Sequence, residues 1–236
     1  MIDRELLTAF LEEHFPDAEG QRLVEGFVRY EELLMEWNGK MNLTAIKDGR
    51  EITVKHFIDS LTPALTGRIP KNGTFVDVGS GAGFPGVPLT MLYPELGTIL
   101  VDSLGKRVRF LQELTVALGV TADCVHSRAE ELGQTSYREQ CDVVTARAVA
   151  NLSVLCEYCL PLAKVGGVFL AMKGPEVEEE LEAAGDALEL LGGKVGEVYP
   201  FTLPDGSRRN IIAIEKIAPT PKKYPRDAKK MKNNPL

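Results

Sequence analysis

Residues 74–86 read TFVDVGSGAGFPG, and this stretch constrains the fold of the chain more than any other. An apolar, β-branched run, Thr74-Phe75-Val76-Asp77-Val78, is followed by glycines at 79, 81, 83 and 86, and an apolar helical pattern begins at Val87. The pattern predicts a buried strand, a tight glycine-rich turn and a helix start. Glycine allows positive φ and, lacking a Cβ, lets a ligand press against the backbone. The helix that follows offers free N–H groups and the positive end of its dipole. Packing alone is the plain alternative, but four glycines in eight residues exceed what a turn needs.

Two ligand classes use such a turn. Gly81-Ala82-Gly83-Phe84-Pro85-Gly86 fits the G-x-G-x-x-G dinucleotide fingerprint, a match that carries little weight alone. The other ligand is S-adenosylmethionine (SAM), and Asp77 favours it. Near the carboxyl end of the strand, its carboxylate is placed to pair with a ligand ammonium, directly or through water, and to repel a pyrophosphate. Pro85 also removes an N–H that a pyrophosphate site would keep. Gly97 to Asp102 reads as the next strand. An acid ending the second strand of such a unit accepts hydrogen bonds from ribose hydroxyls. Asp102 equally suits the cap of a helix beginning near Leu104, with Ser103 as its rival.

Strands and helices then alternate. Thr121 to His126, Cys141 to Ala146 and Val165 to Met172 read as strands three to five, separated by helices. Val195 to Phe201 and Arg208 to Ile217 form a final antiparallel pair. This order predicts an α/β fold: a doubly wound, Rossmann-like sheet, mostly parallel with an antiparallel edge strand. Ligands bind such sheets at the carboxyl ends of the strands. That rule brings Gly79, Asp102, Arg128 to Glu130, Arg147 and Lys173 to one edge.

The 236 residues, 44% hydrophobic and 26% charged, suffice for one α/β domain with an appendage. Residues 3–15, 21–37 and 51–65 read as helices. We therefore divide the chain into a helical extension (1–68), a main domain (69–218) and a basic tail (219–236). In the third helix His56 and Asp59 fall off the apolar stripe, and His56 reads more simply as a surface or helix-packing residue than as a base. No apolar run approaches the length of a membrane span, and the start MIDRELLTAF holds no signal-peptide core. The expectation is a cytoplasmic protein without membrane contact.

Formal net charge is −7, which on its face argues against a nucleic-acid partner, but the distribution is uneven. Residues 1–36 hold ten acids against Arg4, Arg22 and Arg29, while 216–236 hold seven bases against Asp227 alone. Local charge decides whether a polyanion is bound. Cys156-Glu-Tyr-Cys159 is a C-x-x-C in mid-helix, where no helix N-terminus stabilises a thiolate. Cys124 and Cys141 supply no second close pair, so neither a structural metal site nor a redox role is expected.

Several segments occur in a distinctive order: Trp37 to Ala45 (WNGKMNLTA), His56 to Ser60 (HFIDS), Val76 to Gly86, Asp102 to Arg107 (DSLGKR) and Thr145 to Ala148 (TARA). Together they resemble the bacterial 16S rRNA guanine-N7 methyltransferase family, RsmG or glucose-inhibited division protein B. The resemblance runs from about Trp37 to Tyr224. It departs from the family in 227–232, which lack the expected glycine and proline. The resemblance implies a class I SAM-dependent methyltransferase acting on one guanine of the 530 loop of 16S rRNA, as free RNA or in the 30S subunit; a monomer is the separate expectation for its oligomeric state. Carried over by motif, the SAM site includes Gly79, Phe84, Ala129, Glu130 and Arg147; Asp77 and Asp102 join it from the strand-end argument, and Gly81 from the glycine turn. Arg147 and Lys173 are candidate substrate-positioning residues, and Arg208, Arg209, Lys222, Lys223 and Arg226 candidate phosphate contacts. A protein or small-molecule methyltransferase, a NAD(P)-dependent oxidoreductase and a non-enzymatic ribosome-assembly factor are the rival readings.

Overall fold

The computed structural model describes residues 1–236. Asp3 caps α1 (Arg4–His14) by accepting a hydrogen bond from the Leu6 N–H. Helix α2 (Gly20–Asn38) buries Leu23, Phe27, Tyr30 and Leu34 at helical spacing. The helix expected over 51–65 is instead a rod in three parts: α3 (Gly49–Ile52), a π-helical stretch (Thr53–Ile58) and α4 (Asp59–Leu65). Pro63 has no N–H to reach the Asp59 carbonyl; the Thr62 hydroxyl donates to it instead, at 2.7 Å. Wide turns of this kind recur at functional sites.

The main domain then runs β1 (Gly73–Val78), α5 (Gly86–Leu92), β2 (Leu96–Asp102), α6 (Gly105–Leu118), β3 (Ala122–His126), α7 (Ala129–Leu132), β4 (Cys141–Arg147), α8 (Leu152–Cys159) and β5 (Ala163–Lys173). It closes with α9 (Glu178–Ala183), α10 (Gly185–Leu191), β6 (Gly193–Thr202) and β7 (Arg208–Lys216). The acidic helix expected over 177–191 divides at Ala184, where Gly185 lowers helix propensity. The seven strands lie in the order β3-β2-β1-β4-β5-β7-β6. Strands β1 to β5 are parallel, and β7 is antiparallel to both of its neighbours. The reversed strand is thus one position in from the edge, and β6 is the edge.

Alternation along each strand separates two cores. One sheet face presents Phe75, Leu100, Val143, Leu170 and Ile211 to the N-terminal helices through Phe27, Tyr30, Leu34, Phe57 and Leu61. The other presents Val76, Val78, Val101, Val144, Phe169 and Ile212 to α8 and α10. The extension therefore shares its core with the sheet. All four cysteines are free thiols, and burial pushes the Cys156 thiol up to about 12.

The tail packs against the body. Arg138 donates to the carbonyls of Gly133, Tyr224 and Thr220 at 2.7–2.9 Å. Arg226 donates from its backbone N, Nε and Nη2 to Glu157, which is only 1% exposed. Beyond it, Asp227 caps α11 (Ala228–Asn233). Arg226, expected among the phosphate contacts, has its guanidinium paired with this buried carboxylate.

Candidate functional site

The glycine turn is held from beneath, from above and from the side. Gly79, Gly81 and Gly83 have φ of 74°, 58° and 94°, values a side chain would strain. Beneath it, Asp77 is fully buried. It accepts from the Gly86 N–H at 3.0 Å and the Thr145 hydroxyl at 3.3 Å. A Cβ on Gly86 would stand 2.7 Å from Asp77 Oδ2. Burial pushes the Asp77 carboxyl up to about 6, and the Gly86 N–H and Arg147 oppose that rise. Asp77 therefore fastens the turn and lines neither of the cavities described below. The carboxylate expected to meet a ligand ammonium, directly or through water, is held here by the N–H of Gly86 and the Thr145 hydroxyl.

From above, Tyr30 of α2 donates its hydroxyl to the Ala82 carbonyl at 2.6 Å. Burial holds its phenol well above the usual value. From the side, Asp102 accepts from Gly81 N–H and Leu104 N–H, each at 2.9 Å, with Arg107 Nη1 at 3.4 Å. Asp102 thus ties β2 to the turn and to the start of α6. A carboxylate has about four acceptor positions, so one remains after these three.

Two cavities flank the segment after β4. The first, about 130 Å³, is lined by Gly79, Asp102, Ala129, Glu130, Val149 and Tyr158, among others. It is smaller than the ~300–1,000 Å³ usual for ligand sites, because Val149 leans over the turn. A Cβ on Gly79 would stand 2.7 Å from Val149 Cγ2. Ala148, just before it, has φ 56°, uncommon for a residue other than glycine. Its lining matches a nucleoside with an amino-acid tail: two carboxylates to accept from hydroxyls, an aromatic and an alanine beside them, and a bare glycine Cα.

The second cavity, about 460 Å³, opens at the ends of β4 and β5 against the π-helical rod. Arg147 donates to Asp59 Oδ2 at 2.8 Å and to the Lys55 carbonyl at 3.2 Å. Its guanidinium lies 5.0 Å from the Phe84 ring centroid, a cation–π contact. Phe84 is itself stacked between Tyr30 (5.1 Å) and His56 (4.7 Å). Lys173 pairs with Glu180 at 2.6 Å and donates to the Ala150 carbonyl at 2.9 Å. Arg209 Nε lies 3.2 Å from Asp59 Oδ1. Burial and the Arg147 charge lower His56 to about 4, so its ring is neutral at pH 7.

A family profile described as rRNA small subunit methyltransferase G, GidB, matches residues 23–212. The chain belongs to this family. A relative from Exiguobacterium sp., named ribosomal RNA small subunit methyltransferase G, is 49% identical over the whole of both chains. One of the same name from Lactobacillus johnsonii is 52% identical over 89% of this chain and 90% of its own. Among solved structures, NSun6 from Pyrococcus horikoshii with SFG is similar over 69% of this chain and 53% of its own (TM-score 0.56, 16% identity). The antibiotic-resistance methyltransferase Kmr is similar over 66% and 93% respectively (TM-score 0.51, 19% identity). These two likenesses establish the class I methyltransferase fold. This GidB-family chain is accordingly a SAM-dependent rRNA methyltransferase, and no helix in it is long and apolar enough to cross a membrane.

The site residues expected from the sequence fall on both sides of the β4–α8 segment. Gly79, Asp102, Ala129 and Glu130 line the first cavity, with the Gly81 N–H bonded behind it. Arg147, Lys173 and Arg209 line the second. The Phe84 side chain, 5% exposed, points to neither; it packs into the aromatic stack, so any ligand contact there is by its backbone. Arg208, Lys222 and Lys223 are exposed. Sequence reasoning missed His56, Asp59, Val149 and Tyr158 as cavity residues. For His56 and Asp59 the signal was present, since both are polar residues off the apolar stripe of their helix.

Proposed function

We propose that this enzyme methylates N7 of a guanine in the 530 loop of 16S rRNA, acting as a cytoplasmic monomer. The observation that carries the reading is the pair of cavities on either side of Arg147–Val149, one suited to a nucleoside cofactor and one ringed by cations. Gly79, Asp102, Ala129 and Glu130 hold the cofactor, with Gly81 keeping the turn in shape. When bound, SAM supplies an electrophilic sulfonium methyl group. N7 of guanine carries an in-plane lone pair and no proton, so no general base is required. The task of the chain is alignment and exclusion of water, and orientation of this kind is worth roughly 7–11 kcal/mol in favourable cases. Arg147 and Lys173 position the substrate. Arg208, Arg209, Lys222 and Lys223 contact phosphates, supplying salt-dependent affinity without base specificity. The extension (1–68), the methyltransferase domain (69–218) and the tail (219–236) act as one body on that substrate.

The test is transfer of a tritiated methyl group from SAM to small-subunit RNA from cells lacking the activity, offered naked and as 30S particles. Label on a single guanine at N7 is the expected result, and the faster substrate identifies what is recognised. SAM binding with no label in either would overturn the reading.

A further inference from the structure

The second cavity holds a buried carboxylate that the functional reading leaves without a task. Asp59 is 4% exposed, yet it sits among Arg147, Arg209, Lys55 and Lys173. Its Oδ2 accepts from Arg147. Its Oδ1 is sealed from solvent and accepts no hydrogen bond, although Arg209 Nε is 3.2 Å away. The ion pair with Arg209 compensates the charge of this oxygen but gives it no aligned donor, a place that a ligand N–H can fill. His56 lines the same cavity, and its Nδ1 is likewise buried without a partner.

Resting on the functional reading above, we propose that this cavity receives the target guanine and that Asp59 recognises its N1–H and N2–H edge. The match is one of donors and acceptors. Guanine presents two adjacent N–H donors there, which a carboxylate accepts together, whereas adenine presents an acceptor at N1. A base held by that edge carries N7 on its opposite side, directed away from Asp59 and free to react. The methyl carbon gains the N7 lone pair, the carbon–sulfur bond breaks, and its electron pair leaves on sulfur. The base becomes cationic without losing a proton. Its N1–H becomes more acidic as that charge arrives, so the bond to Asp59 strengthens in the transition state, the condition for raising rate and not only affinity. Arg209 is 28% exposed at its side chain; it turns from Asp59 Oδ1 to an RNA phosphate as the base enters. The cavity, about 460 Å³, is of ordinary ligand size.

The test uses small-subunit RNA joined from two transcripts so that the target is guanosine or inosine, which lacks the N2 amino group. The full-length enzyme should methylate guanosine with a kcat/KM about tenfold or more above that for inosine, the loss of one bond to a charged acceptor. Asp59→Ala should keep its affinity for SAM and treat the two substrates alike within about threefold. Arg209→Ala, which leaves Asp59 in place, should bind RNA less tightly and keep the preference. Equal rates on both substrates by the unmodified enzyme, persistent preference in Asp59→Ala, or loss of preference in Arg209→Ala would each overturn the proposal. An enzyme that labels neither small-subunit substrate would overturn the functional reading itself. Only the other outcomes count against Asp59 alone.

Discussion

Tyr30 and Ala82 are joined by a 2.6 Å hydrogen bond that crosses from α2 of the extension to the glycine turn of the sheet. A Cβ on the neighbouring Gly83 would stand 2.4 Å from the same Tyr30 hydroxyl. The extension therefore takes part in shaping the turn.

Tyr30→Phe leaves the stack with Phe84 in place and removes only the donor. An orphaned buried carbonyl costs about 1–3 kcal/mol. We expect a matching loss of stability in denaturant melts, together with weaker SAM binding by calorimetry. Unchanged SAM affinity at reduced stability would separate the extension from the site.

Two glycines of the turn should fail for different reasons. Gly86→Ala places a methyl 2.4 Å from Leu100 Cδ2 and 2.7 Å from Asp77 Oδ2. Overpacking of this kind costs about 1–3 kcal/mol, so its melting temperature should fall clearly. At Gly81 a Cβ meets nothing nearer than the Gly79 carbonyl at 3.8 Å, but φ is +58°. Gly81→Val should lower the melting temperature through backbone strain instead of a clash, and lose SAM binding. If Gly81→Val binds SAM normally, the turn does not contact the ligand.

Glu157 and Arg226 form a buried pair in which the carboxylate is the more enclosed partner. Removing one member of such a pair costs about 3–5 kcal/mol. Arg226→Ala should lower stability and loosen the tail while leaving the salt dependence of RNA binding nearly unchanged. Replacing Lys222 and Lys223 with alanine should do the reverse, flattening the slope of log affinity against log salt. Filter binding at several salt concentrations distinguishes the two.

His56 and Asp77 should produce opposing pH effects on stability. The folded value for His56, about 4, lies below the unfolded 6.5. The unfolded chain therefore binds more protons between them, and this contribution rises with pH and is lost as pH falls through that window. Asp77, about 6 when folded against 3.8 unfolded, does the opposite: its contribution is greatest in acid and declines as pH rises from about 4 to 6. Each shift of about two units corresponds to roughly 3 kcal/mol. In His56→Gln the rising contribution disappears, so melting temperature should fall relative to wild type as pH goes from 4 to 6. In Asp77→Asn it should rise relative to wild type over that range. Parallel profiles for all three proteins would refute both assignments.

The α/β alternation, the strand-end edge and the glycine turn were legible in the chain because each depends on local pattern. β-Branched runs, φ-permissive glycines and helical spacing act over a few residues. The order Trp37–Ala45, His56–Ser60, Val76–Gly86 and Thr145–Ala148 likewise fixed the family, since the segments stand in the sequence itself. What the tertiary structure alone decided concerns polar side chains whose partners are distant in sequence. Asp77 and Asp102 are both acids at strand ends, yet one is closed off by Gly86, nine residues on, and the other lines a cavity. Arg226 looked like its basic neighbours until Glu157, 69 residues away, took its guanidinium. Asp59 acquired its two arginines from positions 88 and 150 residues downstream. A sequence specifies the charge of each such group. Whether that charge is spent within the protein or left for a ligand depends on which groups folding brings within hydrogen-bonding distance.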